Sequence, residues 1–161
     1  MKQAHRSGGL VKELPNDSLC YVCGNANDKG LQRNFYIDGK VVTARFQGED
    51  YHKGHGSIHG GIAAALLDEA MGLAATKIKN TLCVTAEITV RYIRPLEVNN
   101  VYVVRGHMIA DKKLLCETYG DIVDSDNNIF VKAYGKYVPV PKEDSREMYP
   151  NVFKDNCKEG K

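Results

Sequence analysis

The fold of this chain is decided by one stretch of sequence, IHGGIAAALLDEAMG at residues 58–72. It opens a helical pattern that we expect to run over residues 60–79. Small residues recur there at spacings of three and four and form one stripe around Asp68, namely Gly61, Ala64, Ala65, Gly72 and Ala75. The bulky residues lie off this stripe and suit core packing: Ile62, Leu66, Leu73 and Ile78.

Strand-like segments lie on both sides of the predicted helix. Two precede it, at 31–37 and 40–46, and the Asp38-Gly39 pair between them is a strong hairpin signal. Four follow it, at 83–93, 101–110, 114–123 and 129–138, with short turns that make them antiparallel. This order predicts an α+β fold, in which a curved antiparallel sheet wraps around one long central helix. Because one helix cannot cover both faces of six strands, we expect a homo-oligomer.

The length of 161 residues fits one domain. We divide the chain into a polar N-terminal arm at 1–17, one domain at 18–140 and a charged C-terminal tail at 141–161. The chain has 22 basic and 20 acidic residues, a balance that argues against nucleic-acid binding. Asp68 and Glu69 interrupt the most apolar stretch, so we expect no membrane span.

The five cysteines, at positions 20, 23, 83, 116 and 157, lack the dense spacing of a secreted disulfide framework. The first residues also lead into no apolar segment typical of a secretory signal. Both observations favour a reducing, cytoplasmic setting.

Two adjacent acids, Asp68 and Glu69, stand in the middle of the apolar helix. A carboxylate there is costly unless it is paired, hydrated or functional. Neighbouring helical residues point about 100° apart, so at most one of the two shares the small stripe, and the register is that of Asp68. The alternative, that the acids simply face solvent, stays open at this point.

The helix begins at two glycines, Gly60 and Gly61, whose amides a ligand can reach. Such amides, with the positive end of the helix dipole, can stabilise an oxyanion, although a tight loop-to-helix turn is the favoured explanation of the glycine pair taken alone. A base and an oxyanion hole are the minimum for acyl transfer to water. Asp68 lies about 12 Å along the axis from Gly60, too far to act on the same carbonyl. If both are catalytic, Asp68 of one chain works with Gly60 of another, so we expect an active site at a dimer interface.

These motifs resemble the hotdog-fold acyl-CoA thioesterases of the phenylacetate-degradation type. The segments that carry the resemblance are HGG at 59–61 followed by LDEA at 67–70, TVRYIRP at 89–95, and CYVCG at 20–24 with GL at 30–31. The resemblance covers about residues 20–139. It implies a hotdog fold, hydrolysis of an acyl-CoA or aryl-CoA thioester to free acid and CoA, and a dimer or tetramer. It implies no metal and no cofactor, since coenzyme A is part of the substrate.

The resemblance also implies roles for individual residues. Asp68 would be the general base that activates water, or the nucleophile. The Gly60 amide would polarise the thioester carbonyl, with Gly61 in support. His59 would shape the oxyanion end or contact substrate, and Thr85 falls where some relatives have a hydroxyl that orients the water.

One position departs from the family's pattern. Some relatives have Asn or Gln six residues before the histidine of HGG, where this chain has Lys53. Either His52 or His55 substitutes for it, or the site works differently. Glu69 is the fallback base, because some relatives use Glu.

Coenzyme A carries negatively charged phosphates, which basic side chains should meet. The candidates are Arg91, Arg94, Lys112 and Lys113. The Lys112-Lys113 turn is attractive because relatives often bind the nucleotide near this hairpin, but a solvated basic turn explains it equally well.

Two further patterns leave alternatives open. Cys20 and Cys23 have the spacing of half a zinc site, and a histidine or a second chain would have to complete it. A redox pair is a second alternative, while a turn that packs the arm onto the domain is favoured. The histidines His52, His55 and His59 are close enough for a metal site, but a glycine-rich loop is not a rigid support.

Two other functions remain as alternatives to hydrolysis. A non-catalytic acyl-CoA-binding module has no need for an acid on the small stripe. A hotdog dehydratase would pair a histidine with a carboxylate in a different arrangement. Product analysis separates the three functions.

Overall fold

The structure contains the predicted order of two strands, one long helix and four strands, and adds a short strand before it and a short helix after it. A computed structural model describes residues 11–150, so residues 1–10 of the predicted arm and 151–161 of the predicted tail lie outside the described residues. The elements are β1 Lys12–Glu13, β2 Tyr36–Asp38, β3 Val41–Gln47, α1 Gly60–Lys79, β4 Cys83–Tyr92, β5 Val101–Lys112, β6 Leu115–Val123, β7 Ile129–Pro139 and α2 Lys142–Met148. A 3-10 turn, Asp50–His52, lies in the loop before α1.

The strands form one antiparallel sheet in the order β1-β2-β3-β5-β6-β7-β4. Strand β4 returns across the sheet to pair with β7, so it is the last strand at one edge. The predicted α+β architecture, a curved antiparallel sheet with one long helix, is confirmed.

The helix α1 has the predicted bounds because its ends are set by local sequence. The N-cap is His59, and the C-cap Asn80 adopts the left-handed conformation that ends many helices. The side chains that α1 buries against the sheet include Leu66, Leu67 and Met71. Burial of this apolar face, rather than helix propensity alone, stabilises the element.

The helix comes unusually close to the sheet at β5. A Cβ atom added to Gly106 would lie 2.5 Å from the carbonyl carbon of Ala70 and 2.7 Å from the amide of Met71. Only glycine therefore lets β5 pass directly beneath the middle of α1, one turn or less from Asp68 and Glu69.

The sequence prediction fails at the first strand. Residues 31–35 are not a strand, because Gln32 has a left-handed φ of 50°. The amides of Leu31 and Arg33 instead donate hydrogen bonds to the carbonyls of Tyr21 and Val22, at 2.7 and 2.8 Å. This pairing fixes the loop that contains both N-terminal cysteines against the body of the domain.

Helix α2 lies within the segment predicted to be a charged tail. Ser145 in it is buried, and its hydroxyl oxygen accepts a hydrogen bond from the Leu82 amide at 2.7 Å. Tyr149, just beyond α2, is also buried and donates to the Pro15 carbonyl. Neither helix in residues 11–150 is long and apolar enough to cross a membrane.

Candidate active site

Asp68 is held in the middle of α1 by two hydroxyl groups from the neighbouring strands. Thr85 Oγ1 donates to Asp68 Oδ1 at 2.8 Å, and the Tyr137 hydroxyl donates to the same oxygen at 2.8 Å. Thr85 and Tyr137 are opposite each other in the β4–β7 register. The register shifts between Thr85 and Glu87, and bulges of this kind often re-aim side chains next to active sites.

Both hydroxyls act on one carboxylate oxygen of Asp68. Among residues 11–150, neither of these two donors bonds Oδ2, and Asp68 lines the cavity beside the helix. Burial, and next the Asp68 carboxylate, raise the pKa of the Tyr137 phenol well above its ordinary value. Tyr137 therefore stays a neutral hydrogen-bond donor to Asp68 throughout the physiological range.

A cavity of about 230 Å³ opens beside this carboxylate. Its lining includes Asp68, Glu69, Thr85 and Tyr137, together with Cys20 and Cys23 of the N-terminal loop. Gly72, one turn after Asp68, also lines it, and its missing side chain leaves room for the Tyr137 ring, which a Cβ would meet at 3.2 Å.

The Glu69 carboxylate contacts the N-terminal loop. Cys20 Sγ lies 3.7 Å from each of its carboxylate oxygens. Burial is the main reason that the pKa of Glu69 is raised to about 7. The two adjacent acids thus have different surroundings, as the sequence register predicts.

Of the two amides in the first turn of α1 that are predicted to stabilise an oxyanion, the Gly61 amide is hydrogen-bonded within the chain and the Gly60 amide has no acceptor in the helix. His59 Nδ1 accepts a hydrogen bond from the Gly61 amide at 2.9 Å, so Gly61 is engaged within the chain. Gly60 is the first helical residue, and its amide has no acceptor within the helix. The Tyr92 hydroxyl donates to the Gly60 carbonyl at 2.8 Å and ties this turn to the end of β4.

The expected general base and the expected oxyanion donor line different cavities. Gly60 lines a second cavity with Tyr92, Ile93 and Arg94, whereas Asp68 lines the first. This separation agrees with the axial distance of about 12 Å between Gly60 and Asp68.

The loop before α1 is organised by contacts within the chain. His52 is buried, and its Nδ1 accepts a hydrogen bond from the Glu49 amide at 3.0 Å. Lys53 forms an ion pair with Asp50 at 2.5 Å. His55 is exposed. The described chain therefore brings neither Lys53 nor His52 into hydrogen-bond contact with Asp68.

The four basic candidates for phosphate contact lie apart. Arg91 and Arg94 are exposed at the end of β4 and just beyond it, and the Arg94 guanidinium lies over the Phe130 ring. Lys112 pairs with Glu117 across the β5–β6 hairpin, while Lys113 at the turn is exposed.

Two features of this site are absent from the sequence analysis. Tyr137 contacts Asp68 through a strand pairing that joins segments about 50 residues apart, so no local pattern marks it. The approach of Cys20 to Glu69 likewise depends on the loop over the helix. An acid at 69 together with a Cys-x-x-Cys pair was the available signal for that contact.

The described residues have the hotdog fold, and Asp68 lines a cavity beside its long helix. Residues 55–130 match the family model described as thioesterase superfamily. The match and the fold confirm the resemblance to hotdog thioesterases that the sequence motifs indicate. No curated protein matches the sequence.

Solved structures have the same fold at low sequence identity. A crystal structure of a thioesterase superfamily protein is 24% identical with a TM-score of 0.70; the match covers 75% of this chain but only 60% of that one. The PaaI protein from the phenylacetic acid degradation operon of E. coli is 20% identical, with a TM-score of 0.65 and coverages of 73% and 88%. A hypothetical thioesterase from Streptococcus pneumoniae, solved with coenzyme A, is 18% identical, with a TM-score of 0.60 and coverages of 63% and 82%.

Proposed function

We propose that this protein hydrolyses an acyl-CoA or aryl-CoA thioester to the free acid and CoA. One observation carries the proposal: a carboxylate in the middle of an apolar helix, Asp68, is held by the hydroxyls of Thr85 and Tyr137 and faces a cavity. A partly buried acid that is held in one orientation beside a cavity suits a general base. The superfamily match and the coenzyme A in the Streptococcus pneumoniae structure support a CoA thioester as the substrate class.

In the proposed reaction, Asp68 removes a proton from water as the water oxygen attacks the thioester carbonyl. Thr85 and Tyr137 keep the carboxylate in one orientation. The Gly60 amide donates a hydrogen bond to the oxyanion that forms, with the helix dipole in support. The carbon–sulfur bond then breaks, and the CoA thiolate leaves and takes the proton from Asp68.

The reaction requires two chains in this proposal. Within one chain, Asp68 and Gly60 line different cavities, whereas the base and the oxyanion donor must lie near one carbonyl carbon. Strand β4 is an edge strand of ten residues, and the apolar residues at its end, Tyr92 and Ile93, are 53% and 46% exposed. An exposed edge of this length is a template for pairing with a second copy.

The test is the release of free thiol from a panel of short, long and aromatic acyl-CoAs by the wild type and by Asp68→Asn. Asparagine keeps an oxygen that accepts from Thr85 and Tyr137 but removes the base. We expect turnover of at least one class, with a loss of about 100-fold or more in kcat for the variant.

Asp126→Asn is the matched control, because it makes the same chemical change in the exposed turn between β6 and β7. It should leave turnover unchanged. Saturable acyl-CoA binding without thiol release would favour a binding module instead. Equal turnover by wild type and Asp68→Asn would contradict the assignment of the base.

A further inference from the structure

Three potential metal ligands converge where the N-terminal loop crosses α1. Cys20, Cys23 and Glu69 each contribute one ligand atom, and these atoms lie within 4.8 Å of one another. Cys23 is buried, and Cys20 and Glu69 are partly buried. The cluster is built from two separate parts of the chain and faces the same cavity as Asp68.

Backbone amides of the N-terminal loop surround the Cys20 sulfur in the absence of a metal ion. The amides of Val22 and Cys23 point at Cys20 Sγ at 3.3 and 3.5 Å, and such outer contacts orient a metal-binding thiolate. The turn closes with a hydrogen bond from the Gly24 amide to the Cys20 carbonyl at 3.0 Å. A Cβ at position 24 would lie 2.4 Å from that carbonyl oxygen, so only glycine fits the turn.

The described groups around this cluster can carry negative charge but not positive charge. Asp17 and Asp68 line the same cavity as Cys20, Cys23 and Glu69, and no lysine or arginine is among the described residues that line it. Acidic groups that are buried together are costly unless a cation balances them. A divalent cation would offset two of the three negative charges of a thiolate pair and a carboxylate.

The donor set and its spacing select the class of cation. Thiolates favour Zn²⁺ over the harder cations Mg²⁺ and Ca²⁺. Typical Zn–S and Zn–O bonds of about 2.3 and 2.0 Å give a tetrahedral S···O edge of roughly 3.5 Å. The observed Cys20 Sγ to Glu69 oxygen distances are 3.7 Å, so these two side chains need little movement to share one ion, and the Cys23 sulfur lies within 4.8 Å of both.

We propose that Cys20, Cys23 and Glu69 bind Zn²⁺, with the fourth coordination position facing the cavity that Asp68 also lines. The ion would fasten the N-terminal loop to α1. Glu69 is then a metal ligand and not a second base. The proposal goes beyond the proposed hydrolysis, and its test does not depend on turnover.

The test uses the purified full-length chain after treatment with a chelator and a thiol reductant. Co²⁺, a spectroscopic substitute for Zn²⁺, is titrated anaerobically. We expect one Co²⁺ per chain, with thiolate-to-cobalt charge-transfer absorption and the intense visible bands of tetrahedral cobalt. Added Zn²⁺ should displace the cobalt and bleach the bands, and it should raise the Tm of the apo chain.

The variants locate the site. Cys20→Ser should abolish the charge-transfer absorption, and Glu69→Gln should weaken Co²⁺ binding by about 10-fold or more. Cys83→Ser is the matched control, because Cys83 is a buried cysteine that lines the same cavity but lies outside the cluster; its titration should match the wild type.

Three results would overturn the proposal. One is a wild-type chain whose spectrum shows no cobalt–thiolate absorption. Another is a titration that Cys20→Ser and Glu69→Gln leave unchanged. The third is a Cys20–Cys23 disulfide that persists under the reductant. Each can occur whether or not the chain hydrolyses thioesters, so failure of the metal site and failure of the proposed hydrolysis are distinguishable.

Discussion

At the scale of single residues, Gly60 offers a direct test of an oxyanion amide. It is the first residue of α1, a position where proline is readily accommodated. The preceding His59 has φ −58° and ψ 133°, which is compatible with a following proline. Gly60→Pro therefore removes the amide hydrogen without breaking the helix, and we expect kcat to fall by about 100-fold or more while the far-UV CD spectrum is retained.

Gly60→Ala is the matched control for that loss. Its Cβ meets the Tyr92 ring at 3.2 Å, as the proline ring would, but it keeps the amide. A kcat for Gly60→Ala well above that of Gly60→Pro assigns the effect to the amide hydrogen. Equal losses in both variants would assign it to crowding against Tyr92 and contradict the oxyanion role.

His52 provides a residue-scale prediction of pH dependence. Burial, opposed by the Glu49 carboxylate and assisted by the Arg33 charge, lowers the pKa of His52 below its ordinary value. As the pH falls through about 6.5, the unfolded chain therefore binds a proton that the folded chain does not, and the free energy of unfolding decreases. Stability due to neutral His52 is present above that pH and is lost below it.

Urea denaturation at about pH 7.5 and about pH 5 measures this effect. His52→Asn stays neutral at both values and keeps an oxygen that can accept from the Glu49 amide. We expect the wild type to lose more stability than His52→Asn between the two pH values. Parallel losses would mean that other groups cause the acid sensitivity.

At the scale of elements, the contact between α1 and β5 depends on Gly106. Gly106→Ala puts a Cβ 2.5 Å from the Ala70 carbonyl carbon, a backbone atom that no rotamer change can move. The helix must shift from the sheet, and we expect a loss of about 1–3 kcal/mol in the free energy of unfolding. In Gly54→Ala the Cβ makes ordinary contacts at 3.4 Å with His59, so its urea midpoint should stay closer to that of the wild type.

The helix α1 and the strands β3 to β7 could be predicted from the sequence, because their ends are set by residues close by in the chain. The bounds of α1 and the order of β3 to β7 follow from spacing, glycine and turn signals. Residues 31–35 did not form the predicted strand, because the amides of Leu31 and Arg33 bond the carbonyls of Tyr21 and Val22. No local pattern in the sequence marks this pairing. The contact of Tyr137 with Asp68 could not be predicted either, because it depends on a pairing between distant strands. Only the position of β4 at the sheet edge, next to β7, brings Tyr137 opposite Thr85.

At the scale of the whole molecule, a shared active site makes a quantitative prediction. If Asp68 of one chain acts with Gly60 of its partner, a heterodimer of Asp68→Asn and Gly60→Pro chains has one site with both changes and one intact site. The purified heterodimer, obtained by co-expression with two different tags, should have about half the kcat of the wild type. Each homodimer of the single variants should have almost none.

The alternative arrangement gives the opposite result in the same experiment. If Asp68 and Gly60 acted within one chain, both chains of the heterodimer would be defective, and its kcat would stay at the level of the variant homodimers. A heterodimer of Asp126→Asn and wild-type chains, carrying the same two tags, should keep full activity and so accounts for any effect of the tags. The geometry favours recovery of activity in the heterodimer of Asp68→Asn and Gly60→Pro chains. About 12 Å of helix separates the base from the oxyanion amide within one chain, and the hydroxyls of Thr85 and Tyr137 hold Asp68 in its own cavity.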